Sequence, residues 1–338
     1  MKKVVLSVIT SVSLLMGSQN LANEAKNAGL KAIPESVNEL FKLIDNPKNP
    51  ITKAKVELGK QLYFDPRLSQ SGVISCNFCH NVMEGGDDGV SAAIGHKWRK
   101  NPHHLNSPTV LNSVFNQRQF WDGRSPDLED QAQGPIQAAP EMAATPEHVV
   151  ATVTSIPAYV EAFKKAYGEN VTIDFKLVAD TIATYERTLV TPSRFDAYLN
   201  GHENALNKEE KKGLKTFIQV GCASCHNDVG LGGGMSPFNV TATYKHNDIG
   251  DFKGDKNGMV KVPTLRNITK TAPYFHNGEI WSLAEAVKEM ARIQLGKKLT
   301  DKETNSIVTF LKTLDGELAD TQAPVLPAST DKTPKPNN

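Results

Sequence analysis

Two short stretches of this chain repeat one pattern. Cys76-Asn77-Phe78-Cys79-His80 and Cys222-Ala223-Ser224-Cys225-His226 each place two cysteines two residues apart in a Cys-x-x-Cys-His run, and together they use all four cysteines. Three chemistries share this spacing. A structural zinc site would gather four Cys or His ligands into one tetrahedron, and no further ligand stands near either copy in sequence. A redox dithiol of the thioredoxin kind would need a βαβ setting, and no such pattern surrounds either motif. Covalent haem attachment uses both thiols against the two haem vinyl groups and sets the adjacent imidazole on the iron. Two copies with no cysteine left over favour haem. The expectation is two covalently bound haem c groups, one on Cys76, Cys79 and His80, the other on Cys222, Cys225 and His226.

Something must carry each motif into place. Before the first runs "ELGKQLYFDPRLSQSG", with Leu58, Leu62 and Tyr63 at helical spacing. Before the second runs "KKGLKTFIQVG", with Leu214, Phe217 and Ile218. The two histidines lie 146 residues apart, enough for one domain around each haem. Helical patterns cover 53–64, 125–132, 145–155, 157–167, 174–190, 282–294 and 300–314. Residues 34–50 read as an arm, 81–110 as a Gly-rich loop, 191–201 as a hinge, and 230–239 and 251–258 as flexible by composition. Alternating strand patterns are scarce. The predicted fold is mainly α, with two cytochrome c-like domains, long loops and little sheet, because a haem replaces much of the apolar core.

The N-terminus has Lys2 and Lys3 followed by an apolar run to about Met16, a secretory signal layout. The run is short for a bilayer span and nothing later resembles one. The expected organisation is a signal peptide at 1–22, a first haem domain at 23–190, a second at 191–318 and a flexible Pro/Thr/Lys-rich tail at 319–338. The expected compartment is the periplasm, with no membrane span after signal removal. A formal net charge of +1 gives no field-driven affinity for nucleic acid or anionic lipid.

Each iron has a second axial position, and its occupant decides the chemistry. Met or His closes an electron-transfer haem, whereas a reactive haem keeps or makes a vacancy. Of the five methionines after the signal layout, Met83 and Met142 belong to the first domain, Met235 and Met259 read as lying in flexible loops, and Met290 lies on a helical pattern, so the sixth ligand of the second haem is sought among the last three. For the first, His96, His103 and His104 stand in one Gly/Pro-rich stretch, and sequence physics does not choose among them.

Four further stretches carry a resemblance: "TVLNSVFNQRQFWDGR" (109–124), "EDQAQGPIQAAPEM" (129–142), "KVPTLRN" (261–267) and "APYFHNG" (272–278). With both haem motifs in register, the chain resembles the bacterial di-haem cytochrome c peroxidases from about residue 50 to 315. The resemblance implies reduction of hydrogen peroxide to water with electrons from a small cytochrome c or a cupredoxin, usually in a homodimer. It implies His80 as proximal ligand of a peroxidatic haem and His96 as the distal ligand that leaves on activation. Glu141 would be the catalytic carboxylate and Gln131 its pocket neighbour. Trp121 would stand between the haems with Phe120 as companion, and His226 and Met290 would be the axial pair of the electron-transfer haem. It also implies calcium, held by the Asn106 side chain and the carbonyls of Lys261 and Pro263. Lys261 departs from the family in its side chain. Related enzymes that modify a tryptophan-derived cofactor carry tyrosine at the position of Met290.

The residues alone admit plainer roles: Trp121 as a buried core aromatic, Glu141 as a solvated residue in the turn after Pro140. Rival functions are an electron carrier with both irons closed, an oxidase of a protein or organic substrate, and a haem-based sensor. The carrier would need no carboxylate and glutamine at the first haem, and a sensor would need a partner domain to signal through.

Overall fold

The computed structural model describes residues 21–337. The signal-peptide reading falls almost wholly outside them. Two apolar cores organise the described residues, each built around one motif-bearing arm.

In the first domain, α1 (Val37–Ile44) precedes α2 (Lys53–Phe64). The Thr52 hydroxyl accepts from the Lys55 N–H and starts α2. Its buried face, Leu58, Gly59, Leu62 and Tyr63, lies on α8 (Phe175–Glu186). A Cβ on Gly59 would stand 2.9 Å from Tyr185 Cβ and closer still to the Thr181 carbonyl, so only glycine allows this crossing. Between them come α3 (Cys76–Cys79), α4 (Leu128–Gln131), α5 (Gln133–Gln137), α6 (Pro146–Thr154) and α7 (Pro157–Tyr167). Tyr159, Phe163, Val178 and Ile182 complete the core.

The second domain repeats the device. Here α10 (Lys208–Val220), opened by an Asn207/Glu210 capping box, crosses α12 (Asp301–Leu311) at Gly213. A Cβ there would stand 2.9 Å from Phe310 Cβ and press on the Ser306 carbonyl. Also here are α9 (Arg194–Leu199), α11 (Leu283–Leu295) and an antiparallel pair, β1 (Met235–Pro237) and β2 (Met259–Lys261), in register Met235 to Lys261. This is the one sheet among the described residues, and the structure is mostly helical.

Several expectations change. The arm at 34–50 contains α1, capped by Ser36. Residues before it pack on the second domain: Ala25 and Leu30 enter its core, and the Ile33 N–H reaches Asp196 Oδ1 at 2.7 Å. The hinge at 191–201 holds α9, whose Phe195 and Tyr198 are buried in that same core. Met235 and Met259 lie in paired strands, not in flexible loops. The tail forms no helix or strand, yet it is pinned along the first domain. Lys60 Nζ meets Asp320 at 2.7 Å, Thr330 Oγ1 donates to the Ser155 carbonyl at 2.9 Å, and Asn337 N–H to the Gln70 carbonyl at 2.9 Å. Each end of the described chain therefore clasps the domain formed by the other half.

Candidate haem sites

At the second motif, α10 ends at Gly221 with φ +105°, which turns the chain into Cys222. The His226 N–H bonds the Cys222 carbonyl at 3.0 Å, so the motif closes one helical turn. His226 Nδ1 lies 3.3 Å from the Leu231 carbonyl. With its proton there, Nε2 is left as the ligand atom. Burial pushes His226 down to about 4, which keeps the imidazole neutral. His226, Cys222, Cys225, Phe238 and Tyr274 line one large apolar cavity, and α11 brings Met290 into it. Among the methionines considered, Met290 alone lines this cavity, whereas Met142 is buried in the first core.

The first motif has the same local geometry. The His80 N–H bonds the Cys76 carbonyl at 2.9 Å, and His80 Nδ1 lies 2.9 Å from the Pro108 carbonyl. Tyr63 Oη donates to the His80 carbonyl at 2.7 Å. Burial raises the Cys76 thiol, and pushes Cys79 up to about 12 and Cys222 up to about 11. A redox dithiol needs the opposite, a depressed thiol. Neutral thiols flanking a buried neutral imidazole suit thioether attachment.

The three candidate distal histidines separate. His103 Nδ1 is paired with Asp251 at 2.9 Å, and His104 Nε2 with Glu279 at 2.9 Å. His96 makes no such pairing, and its Nδ1 is buried without a hydrogen-bond partner. The His96 main-chain N–H donates to the Glu141 main-chain carbonyl at 2.8 Å. Gly95 makes this approach possible, since a Cβ there would stand 2.8 Å from Glu141 Cα. Lys97 and Trp98, just after His96, both hold φ near +60°, a costly region for side-chain-bearing residues.

Glu141 is half-buried. Burial raises its carboxyl, partly opposed by the Arg124 guanidinium, and its charge reaches Cys79. Arg124 lies 3.5 Å over the Phe120 ring and is paired with Asp122 at 2.9 Å. Phe120 has φ +66° and faces Gly134. Gln131 closes α4, half-buried. Arg124 was missed in the sequence, although it closes the same "FWDGR" run as Phe120 and Trp121.

Trp121 is buried between the sites. Its Nε1 donates to the Asn106 carbonyl at 2.9 Å, and its own carbonyl accepts from the Lys261 N–H at 2.8 Å. Asn106 and Pro108 thus touch Trp121 and His80 from one short segment. Asn106 Nδ2 donates to the Pro273 carbonyl at 2.7 Å, while its Oδ1 is buried with no partner. Lys261 is only 5% exposed, and its amine makes no hydrogen bond or ion pair among the described residues. Burial pushes that amine down to about 8, and Asp122 opposes the shift. Asn106, Lys261 and Pro263 all line the central cavity. The orphaned Asn106 Oδ1 is an acceptor suited to a cation. Even so, the set fits calcium poorly, because its donors are neutral and an ammonium already shares the cavity.

Two helical domains, each closing a Cys-x-x-Cys-His turn around a buried imidazole, the second of them beside a large apolar cavity, define a di-haem c-type cytochrome. The family model for di-haem cytochrome c peroxidase matches residues 53–204, and that for cytochrome c matches 210–315. The chain is 44% identical to the cytochrome c551 peroxidase of Pseudomonas aeruginosa, over 98% of this chain and 96% of that one. It is 45% identical to the cytochrome c551 peroxidase of Nitrosomonas europaea, over 96% and 97%. A solved MauG-like protein associated with microbial copper homeostasis superposes with a TM-score of 0.70 at 27% identity, covering 81% of this chain and 93% of that one. The chain belongs to the di-haem cytochrome c peroxidases. It is a peroxidase of two haem c groups.

Proposed function

We propose that this protein reduces hydrogen peroxide to water in the periplasm, drawing electrons from a small cytochrome c or a cupredoxin. The signal layout supports the compartment. When bound, the two haem groups supply the redox equivalents and the metal at which the O–O bond is cleaved. His226 and Met290 hold the haem that receives electrons. His80 would hold the peroxidatic haem, with His96 as its second, removable ligand.

The observation that carries this reading is the pairing of His96 with Glu141. One hydrogen bond, from the His96 main-chain N–H to the Glu141 main-chain carbonyl, ties the two residues together along the backbone, and the other two histidines of the stretch are committed to carboxylates. When His96 swings away, the space it leaves borders Glu141. Glu141 then takes a proton from the near peroxide oxygen and delivers it to the far one, which departs as water. Gln131 and Phe120 shape the pocket beside it. Trp121, hydrogen-bonded to one end of the 106–108 segment while His80 rests on the other, holds the two sites in contact.

The test is Glu141→Gln in the holoprotein, assayed by oxidation of a reduced small cytochrome c. Turnover should fall by about 10²–10⁴, with both haem spectra and their reduction unchanged. Surviving turnover would remove Glu141 from the mechanism.

A further inference from the structure

We infer that the side-chain ammonium of Lys261 is the resident cation at the interface of the two haem sites, standing in for the divalent ion that the family resemblance implies there. The inference concerns metal content and charge, and it stands or falls independently of the peroxide chemistry.

Three observations carry it. First, Lys261 is a buried cation with no ion pair of its own. A buried charge persists only where the surroundings offer it acceptors. The residue shares its cavity with Asn106, whose Oδ1 is buried and unpartnered, and with Pro263.

Second, the cavity offers little negative charge to a divalent ion beside an ammonium: Asp87 is the one carboxylate that lines it, and burial pushes that group up to about 7. No group of three or more His, Cys, Asp or Glu able to hold a metal occurs among the described residues. Asp122 is the carboxylate acting on Lys261, and Arg124 already holds it through two contacts at 2.9 and 3.1 Å. Calcium takes six to eight oxygens, usually with carboxylates among them. Neutral donors plus a neighbouring like charge disfavour it, whereas a single ammonium asks for only about three acceptors.

Third, the charge is fixed where it acts on both sites. The Lys261 N–H is bonded to the Trp121 carbonyl at 2.8 Å, and strand pairing with Met235 holds the backbone. Its charge reaches His80 of the first motif, while its side chain lines the cavity of the second.

The experiment measures calcium in the purified holoenzyme by elemental analysis after dialysis against millimolar calcium chloride, and calcium binding by calorimetry. Wild type, Lys261→Thr and Lys261→Arg are compared, with haem midpoint potentials recorded for each. Wild type and Lys261→Arg should carry no stoichiometric calcium. Lys261→Thr should bind the ion about tenfold or more tighter than wild type, the equivalent of about one pK unit of like-charge repulsion. Its haem potentials should fall without calcium and recover on adding it. Stoichiometric calcium in the wild type would overturn the inference without any variant. So would a Lys261→Thr protein that neither gains calcium nor shifts its potentials.

Discussion

The Asp196–Arg266 pair makes the sharpest stability prediction, because it is buried, bidentate and tied to the second haem loop. Arg266 is 0% exposed and Asp196 2%. Two hydrogen bonds of 2.8 Å join them. The carboxylate also accepts from the Ile33 N–H, the Ser193 N–H and the Ser193 hydroxyl. Arg266 Nε donates to the Val229 carbonyl at 2.7 Å, three residues after His226. Removing one partner leaves an uncompensated buried charge, so Asp196→Asn should cost about 3–5 kcal/mol. Arg266→Met should cost less, about 2–3 kcal/mol, because the carboxylate keeps its other donors. The double variant should be less destabilised than the sum by about 2 kcal/mol. The pH dependence has a definite sign. Burial pushes the Asp196 carboxyl up, but the Arg266 charge and hydrogen bonds bring it below the usual range. Its contribution is therefore present above the ordinary Asp pKa and is lost as pH falls through the depressed folded value. Asp196→Asn should flatten that acid loss. Urea unfolding of the holoprotein, followed by circular dichroism and the Soret band, measures all three variants. Single losses below about 1 kcal/mol, or strict additivity, would refute the argument.

Two further predictions rest on other parts of the molecule. Burial, with Glu129 adding, pushes the Glu186 carboxyl up to about 8, and its Oε2 is buried without a partner. The unfolded chain ionises near 4.3, so between these values the native state binds more protons and wild-type stability falls as pH rises. Glu186→Gln should lose this slope and gain a few kcal/mol at most near pH 8, read from melting temperature against pH; equal slopes in both proteins would refute it. Ending the chain after Ala319 removes the contacts at Lys60, Arg67, Ser155 and Gln70. The first domain should lose about 1–3 kcal/mol and its Soret transition should move to lower urea, whereas an unchanged transition would show that the tail carries no stability.

What could be read from the sequence divides along the range of the interactions. The helices at 53–64, 145–155, 157–167 and 282–294 appear within a residue or two of their predicted limits, because each writes its buried face as a local 3.6-residue period and opens on a local start signal, a capping Thr52, Thr145 or Ser282 in three and Pro157 in the fourth. The haem motifs are legible for a similar reason: ligand and attachment points are contiguous. By contrast, α1 was read as an arm, since its apolar residues do not mark a core; Val37 is 75% exposed. The β1–β2 pair is three residues long on each side, too short for a strand period to register. The choice of His96 over His103 and His104 depends on resemblance, and the pairing of the other two was not legible because Asp251 and Glu279 come from the other domain, more than 140 residues away along the chain. That last dependence is physically informative. Carboxylates of the second domain hold His103 and His104 of the first-domain loop, and the main-chain N–H of His96 donates to the Glu141 carbonyl. Any rearrangement of the second domain is therefore transmitted to the 96–104 loop through ion pairs that can break singly. A rigid apolar interface would lock the loop, whereas two exposed or half-exposed histidine–carboxylate contacts, each worth about 0–1 kcal/mol, hold it only weakly, as the proposed departure of His96 requires.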